Sequence, residues 1–233
     1  MNDIKATTST MKILLIIFSL GFCQLGFSQN YAEISNPNTG TIEVQTNIRN
    51  EKSATIGSPY LNKEWNSGVV HLKDGKVMEI EFLNFNVEKG LVSYMKNNVV
   101  YNSSQNLNVE KFQIGNQVFL SHTINSKAFF LQVLSQGEEI TLLKKAICDF
   151  VAGQPSKGYI EATSDKYVHK AEYYVKKEGQ EVIKIKAKKK EIVALVGDKK
   201  DEVSDFISDN VLNLKNESEL IQVFDYYNLI SQE

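Results

Sequence analysis

From Gly68 onward the chain alternates apolar and polar positions with a period of two. Val69-Val70-His71-Leu72, Asp74-Gly75 and Val77 to Phe82 predict a β-hairpin on an Asp-Gly turn. The alternation puts Ile80, Phe82 and Asn84 on one face and Glu79 and Glu81 on the other. Leu91 to Met95, Val99 to Tyr101, Val109 to Ile114 and Gln117 to Leu120 continue the meander, broken at Asn and Gly. Lys127 to Leu134 and Glu139 to Leu143 pair across Gln136-Gly137, and Tyr159-Ile160-Glu161 and Tyr167-Val168 follow. Ala171 to Lys176 and Val182 to Ala187 turn at Glu178-Gly179. About ten strands at this spacing predict an antiparallel meander, a sandwich or barrel-like sheet over residues 67–187.

At Lys188 the period becomes helical. Lys189 to Val196 ends at Gly197, and Asp198 is placed to cap Lys199 to Ser208, with Val203, Phe206 and Ile207 inward. A last helix starts near Asn216, with Leu220, Val223, Phe224, Tyr227 and Ile230 on one stripe. This helical appendage, residues 188–233, must pack on itself, on the sheet or on a partner. Residues 29–66 are polar and weakly patterned, with Thr41 to Gln45 as a short strand.

Met11 to Gln29 reads as a cleavable export signal. Lys12 is the positive start, Ile13 to Leu20 the apolar run, and Gly26-Phe27-Ser28 the small-residue cleavage site. The run is short of the roughly 20 residues that span a bilayer, and no second segment of that kind follows. Cys23 raises lipidation, but Phe22 is bulky where a small residue is needed. The expectation is a periplasmic or secreted protein, with a lipid anchor at Cys23 or a retained anchor as alternatives. Met1 to Thr10 lies upstream of the positive start, which leaves both Met1 and Met11 open as the true start, the former an over-extended one.

Charge narrows the partners. Loss of residues 1–28 removes Lys5, Lys12 and Asp3, leaving 24 basic and 27 acidic side chains of the 26 and 28 in the chain. That balance suggests neither nucleic-acid nor anionic-membrane binding. Arg49 is the sole arginine, so bidentate reading of phosphate or carboxylate is not built in.

The chemistry is sparse. Cys148 is alone after signal loss, so no internal disulfide forms, and beside Ile147 and Phe150 it reads as a small buried hydrophobe rather than a nucleophile or an intermolecular bridge. His71, His122 and His169 fall in separate strands without metal-ligand spacing. No phosphate loop, nucleophile elbow or calcium loop is present, and no cofactor is expected. Asp198, Asp201, Glu202 and Asp205 suit a helix start and a solvated face, and Glu79 and Glu81 an exposed strand face.

Two features could bind. Lys184, Lys186 and Lys188 alternate beside Tyr173, Tyr174, Lys176 and Lys177, either a ledge for anionic glycans or lipid headgroups or, the stronger reading, a lysine-protected edge strand. Trp65, near Tyr60 and Leu61, is either a recognition aromatic or a plug at one end of the sheet.

Gly57-Ser58-Pro59-Tyr60-Leu61-Asn62-Lys63-Glu64-Trp65, with the strand and turn after it, resembles a segment of uncharacterised exported proteins of the Bacteroidota. So does the end, Lys189-Lys190-Glu191-Ile192 through Gly197-Asp198-Lys199-Lys200 to Tyr226-Tyr227-Asn228. Leu83-Asn84-Phe85-Asn86 is similar to that family's Leu-Arg-Tyr-Asn strand, with Asn84 in place of the arginine. The resemblance implies export and architecture, and no reaction.

The reading that results is a non-enzymatic exported envelope protein, a binding or protein-interaction module with an envelope protein partner. Its possible interaction surface is Trp65, Tyr173, Tyr174, Lys184, Lys186, Phe224 and Tyr227. One alternative is a carrier or enzyme with a sheet-lined pocket, which a solid core of Phe82, Phe85, Phe112, Phe119, Phe129 and Phe130 would exclude. Another is a structural protein that self-associates through a sheet edge.

Overall fold

The apolar–polar alternations of Val69 to Leu143 and of Tyr167 to Ile185 become strands of one antiparallel sheet. The computed structural model describes residues 55–103, 108–159 and 161–232, all within the compact unit Tyr31–Glu233. The export signal, the Thr41 to Gln45 strand and Arg49 lie outside the described residues. The strands are β1 (Asn66–Leu72), β2 (Val77–Asn86), β3 (Leu91–Lys96), β4 (Val99–Asn102) and β5 (Val109–Ile114). β6 (Gln117–Ile124), β7 (Lys127–Gln136), β8 (Ile140–Val151), β9 (Lys166–Lys177) and β10 (Ile183–Ile185) complete the sheet. Their order is β10-β9-β8-β7-β6-β5-β1-β2-β3-β4.

Turn chemistry sets the hairpins. Asn97-Asn98 and Asn125-Ser126 take positive φ at both central positions, the twist-matched connection for two-residue hairpins. Gly75, φ +86°, ends the Asp-Gly turn, where its amide donates to the Leu72 carbonyl. β8 and β9 run longer than the sequence pattern suggests because they pair without a break from Ile140↔Lys177 to Val151↔Lys166. Tyr159 and Glu161 belong to no strand; the 151–166 connection leaves Tyr159 fully exposed.

A bulge alters the face pattern of β2. Gly68 pairs with Ile80 but Asn66 with Leu83, so β2 carries one extra residue between them. Met78 and Ile80 and then Leu83 and Phe85 reach the same core, and Phe82, expected beside Ile80, is 40% exposed. Gly68 sits opposite this step, where a Cβ would fall 2.3 Å from the Gln113 carbonyl oxygen.

The sheet coils. Phe85 on β2 and Phe130 on β7 are four ladder steps apart, about 19 Å in a flat sheet. Their ring centroids are 5.9 Å apart. Phe112 and Phe119 stack at 4.6 Å between them, and Val70, Val92, Ala146, Cys148 and Tyr167 join the same core. Of the six phenylalanines expected in one core, Phe85, Phe112, Phe119 and Phe130 form it. Phe129, by alternation, lies on the outer face with Leu131 and Leu143.

Residues 56–61 form a strap between distant strands. The Ile56 amide donates to the Asp165 carbonyl and the Tyr167 amide donates to the Ile56 carbonyl. At the other end the Leu61 amide donates to Phe85, and the Val87 amide to Pro59. The ten-strand ladder itself does not close, since β10 and β4 are its ends.

The helical stripe packs on the sheet. α1 (Lys189–Leu195), α2 (Lys200–Asp209) and α3 (Glu217–Ile230) cover the inner face, where Ile140, Leu142, Val175 and Ile185 meet Ile192, Val203, Leu220, Val223, Phe224 and Tyr227. Asn216 caps α3 by accepting from the Ser218 amide. Asp198 does not cap α2: it lies in the tight turn Gly197–Lys199, and no side chain caps that helix.

Candidate functional site

One transverse row of side chains crosses the inner face. The ladder registers place Val70, Phe112, Phe119, Gln132, Lys144, Tyr173 and Ile185 opposite one another on successive strands. Its ends are apolar and its middle polar. There Glu217, in the first turn of α3, accepts from Lys144 Nζ at 2.9 Å through Oε1 and from the Tyr173 hydroxyl at 3.0 Å through Oε2. Ser135 Oγ donates to Asp225 Oδ1 at 2.5 Å from the same strand group to the same helix. Gln132 Oε1 is buried with no hydrogen-bond partner among the described residues.

The electrostatics describe a joint. Burial and the neighbouring Glu217 carboxylate push the Tyr173 phenol up to about 12. A phenol held protonated is the reverse of a general base poised near neutral pH. Lys144 is already paired, and each partner of Glu217 ties the helix to the sheet.

A second polar group lies under the strap. Cys148 and His169 face each other across β8 and β9, with Sγ 3.6 Å from Nε2. His169 Nε2 is 2.7 Å from the Ser58 carbonyl oxygen, a pure acceptor, so that nitrogen carries its proton. It cannot then take one from the thiol. Burial, Glu88 and Asp149 push the Cys148 thiol up, against the depressed value of a reactive cysteine. The pair anchors Ser58.

The residues singled out from sequence scatter. Tyr173 and Tyr174 point to opposite faces, as neighbours on a strand must. On the outer face the Tyr174 hydroxyl donates to Glu172 Oε2 at 2.9 Å, Lys184 pairs with the other oxygen, and burial with Glu172 pushes Tyr174 up to about 12. Lys186 follows β10, a sheet edge, 4.0 Å from Glu191, so these lysines stand where edge protection puts them. Trp65 tilts against Tyr60 at 5.1 Å beside the strap. Phe224 and Tyr227 are buried against the sheet, so neither offers a surface; Leu229, 64% exposed, is the apolar side chain that α3 turns outward.

Sequence reasoning passed over Gln132, Lys144 and Glu217, because only the strand registers bring them together. His71, His122 and His169 lie on separate strands, and among the described residues no three His, Cys, Asp or Glu side chains gather as a metal site. No described helix is long and apolar enough to cross a membrane. The chain matches no family model, no curated protein and no solved structure.

Proposed function

We propose that the chain is an exported, non-enzymatic binding module of the cell envelope. One observation carries this reading: the ionisable groups on the inner face are bonded to one another across the sheet–helix junction. Lys144 and Tyr173 are both committed to Glu217, and the second polar group, Cys148 with His169, is committed to Ser58. Side chains spent on holding segments together leave binding to the surface. Export rests on the Met11 to Gln29 pattern.

Two measurements test it. The chain released by osmotic shock should have the mass expected for cleavage after Ser28, and an uncleaved cytoplasmic chain would end the export claim. Photo-crosslinkers placed at Trp65, Lys186 and Leu229 should trap one discrete partner species in the envelope. No adduct from any of the three positions would end the module claim.

A small-ligand carrier is the second reading, favoured by the unpartnered Gln132 Oε1 beside Lys144. Native mass spectrometry of the chain as purified distinguishes it. A retained small molecule that disappears in Gln132→Leu supports a carrier, and a bare mass removes that reading.

A further inference from the structure

The fold separates charges that the sequence average conceals. On the outer face of β7–β10, strand alternation aligns Lys127, Lys145, Lys166, Lys170, Lys176 and Lys184. The carboxylates on those strand faces are Asp149 and Glu172, each already paired, with Lys170 and Lys184. Further acids sit at both ends, Glu138, Glu139, Glu178 and Glu181 in the turns at the Lys176 end and Glu161 and Asp165 in the connection at the Lys166 end. The helical side carries Asp201, Glu202, Asp205 and Asp209 of α2, all exposed, with the exposed Lys188, Lys190 and Lys200 alongside. In a chain of formal net charge −2, lysines thus outnumber carboxylates on the outer strand faces of β7–β10, six to two.

We propose that this outer face docks on an anionic lipid bilayer. The proposal rests on the module reading only for the membrane that an exported chain would meet. Three properties of the face select a bilayer over a stereospecific ligand. The charges are all lysine, compact point charges without the planar fork that reads one phosphate or carboxylate. They spread over Lys166 to Lys176, ten residues of strand or about 34 Å, wider than a single headgroup. Of the aromatic rings on these strand faces, neither Phe129 nor Tyr174 is open to stack a sugar ring, because Lys145 Nζ covers the Phe129 ring at 3.6 Å and Tyr174 is buried. A diffuse field of lysines suits a fluid field of headgroups, at about a fivefold gain in binding for each lysine within a Debye length of the surface.

Vesicle co-sedimentation of the full chain tests this, with phosphatidylcholine alone and with about a third phosphatidylglycerol. Lys127 and Lys166 are the positions to change, since neither holds a carboxylate or a ring among the described residues. Binding is expected to the anionic vesicles, to fall about 25-fold in the double variant Lys127→Gln, Lys166→Gln, and to weaken steeply with salt. Lys199→Gln with Lys200→Gln, on the helical side, should bind as the parent does. Any contribution of the leader, its Lys5 and Lys12 included, is common to all variants, so it does not enter the difference between them. Equal binding to neutral vesicles, no response to the Lys127 and Lys166 changes, or capture by a soluble polyanion without vesicle binding would each overturn the proposal. The osmotic-shock measurement of export is independent of all of these, so a failed module reading and a failed docking face are told apart.

Discussion

Asn228 on α3 completes the backbone of Ile140 at the start of β8. Its Nδ2 donates to the Ile140 carbonyl at 3.0 Å and its Oδ1 accepts from the Ile140 amide at 3.3 Å. The carboxamide acts as one more residue of strand, supplied by a helix. Gly137 makes room for it, since a Cβ there would lie 2.0 Å from the Asn228 side-chain carbon. Ile140 is fully buried, so water cannot replace the lost bonds. Asn228→Ala should therefore cost about 2–4 kcal/mol, one to two for each orphaned backbone group. Gly137→Ala should cost a similar amount by expelling the same side chain. Urea unfolding of both variants and the double variant checks this; additive losses would show that the two positions do not act through one joint.

The polar joint at Glu217 makes stability sensitive to alkali. Tyr173 and Tyr174 are both held up to about 12, above the ordinary phenol value of 10. Below pH 10 both are neutral folded or unfolded, and their contribution is complete. Between pH 10 and 12 the unfolded chain releases protons that the folded chain retains, so stability falls as pH rises. Thermal melts across that window should show the decline. Tyr173→Phe should make it shallower without abolishing it, because Tyr174 titrates separately on the other face. An unchanged slope in the variant would separate Tyr173 from the effect.

How much of this was legible in the chain follows from how far each signal reaches. Alternation and the Asp74-Gly75 turn are local, and they fix the hairpins and the antiparallel class. The bulge at Phe82 is also local but adds no Gly or Pro to announce it, so the face of that residue could not be read. The coil, the strap and the Gln132–Lys144–Tyr173 row depend on registers between strands far apart in sequence. Nothing in the spacing of Lys144 and Glu217 records that they meet. The α3 stripe was plain from its period, but a period does not say which surface it faces, and Phe224 and Tyr227 face the sheet.

Val211 is a strained residue where glycine would rest. α2 ends with the Leu212 amide donating to the Ile207 carbonyl and the Val211 amide to Ser208. That pairing is a Schellman stop, which requires a left-handed residue at Val211, and its φ is +53°. A β-branched side chain is the poorest choice there, and this one is 85% exposed, so packing does not repay the strain. Val211→Gly should stabilise the chain by about 0.5–1 kcal/mol, the left-handed penalty less the entropy of an added glycine. A higher midpoint in urea with an unchanged slope is the expected result, and a loss of stability would mean that Val211 makes a contact beyond the helix end.

The strap gives the last expectation, because two separate devices hold it. Asn84, fully buried, accepts from the Asn62 amide at 3.2 Å and donates to the Asn62 carbonyl at 2.9 Å. At the other end Ser58 is fixed by His169, with Cys148 beside it. Losing the Asn84 carboxamide removes the partner of the part-buried Asn62 amide and carbonyl and a bond to the buried Phe85 amide, so Asn84→Ala should cost about 2–3 kcal/mol. His169→Ala leaves a part-exposed carbonyl that water can reach, and should cost about 1 kcal/mol or less. The thiol reports which end opens. Cys148 is 7% exposed, and burial favours its protonated form, so it should react slowly with a disulfide reagent at neutral pH. In His169→Ala, where the strap is freed above it, the reaction should quicken while global stability is nearly unchanged. In Asn84→Ala it should quicken only as far as global unfolding does. Equal acceleration at equal stability in the two variants would mean that the strap moves as one rigid piece, and fast reaction in the parent chain would return Cys148 to the reactive class.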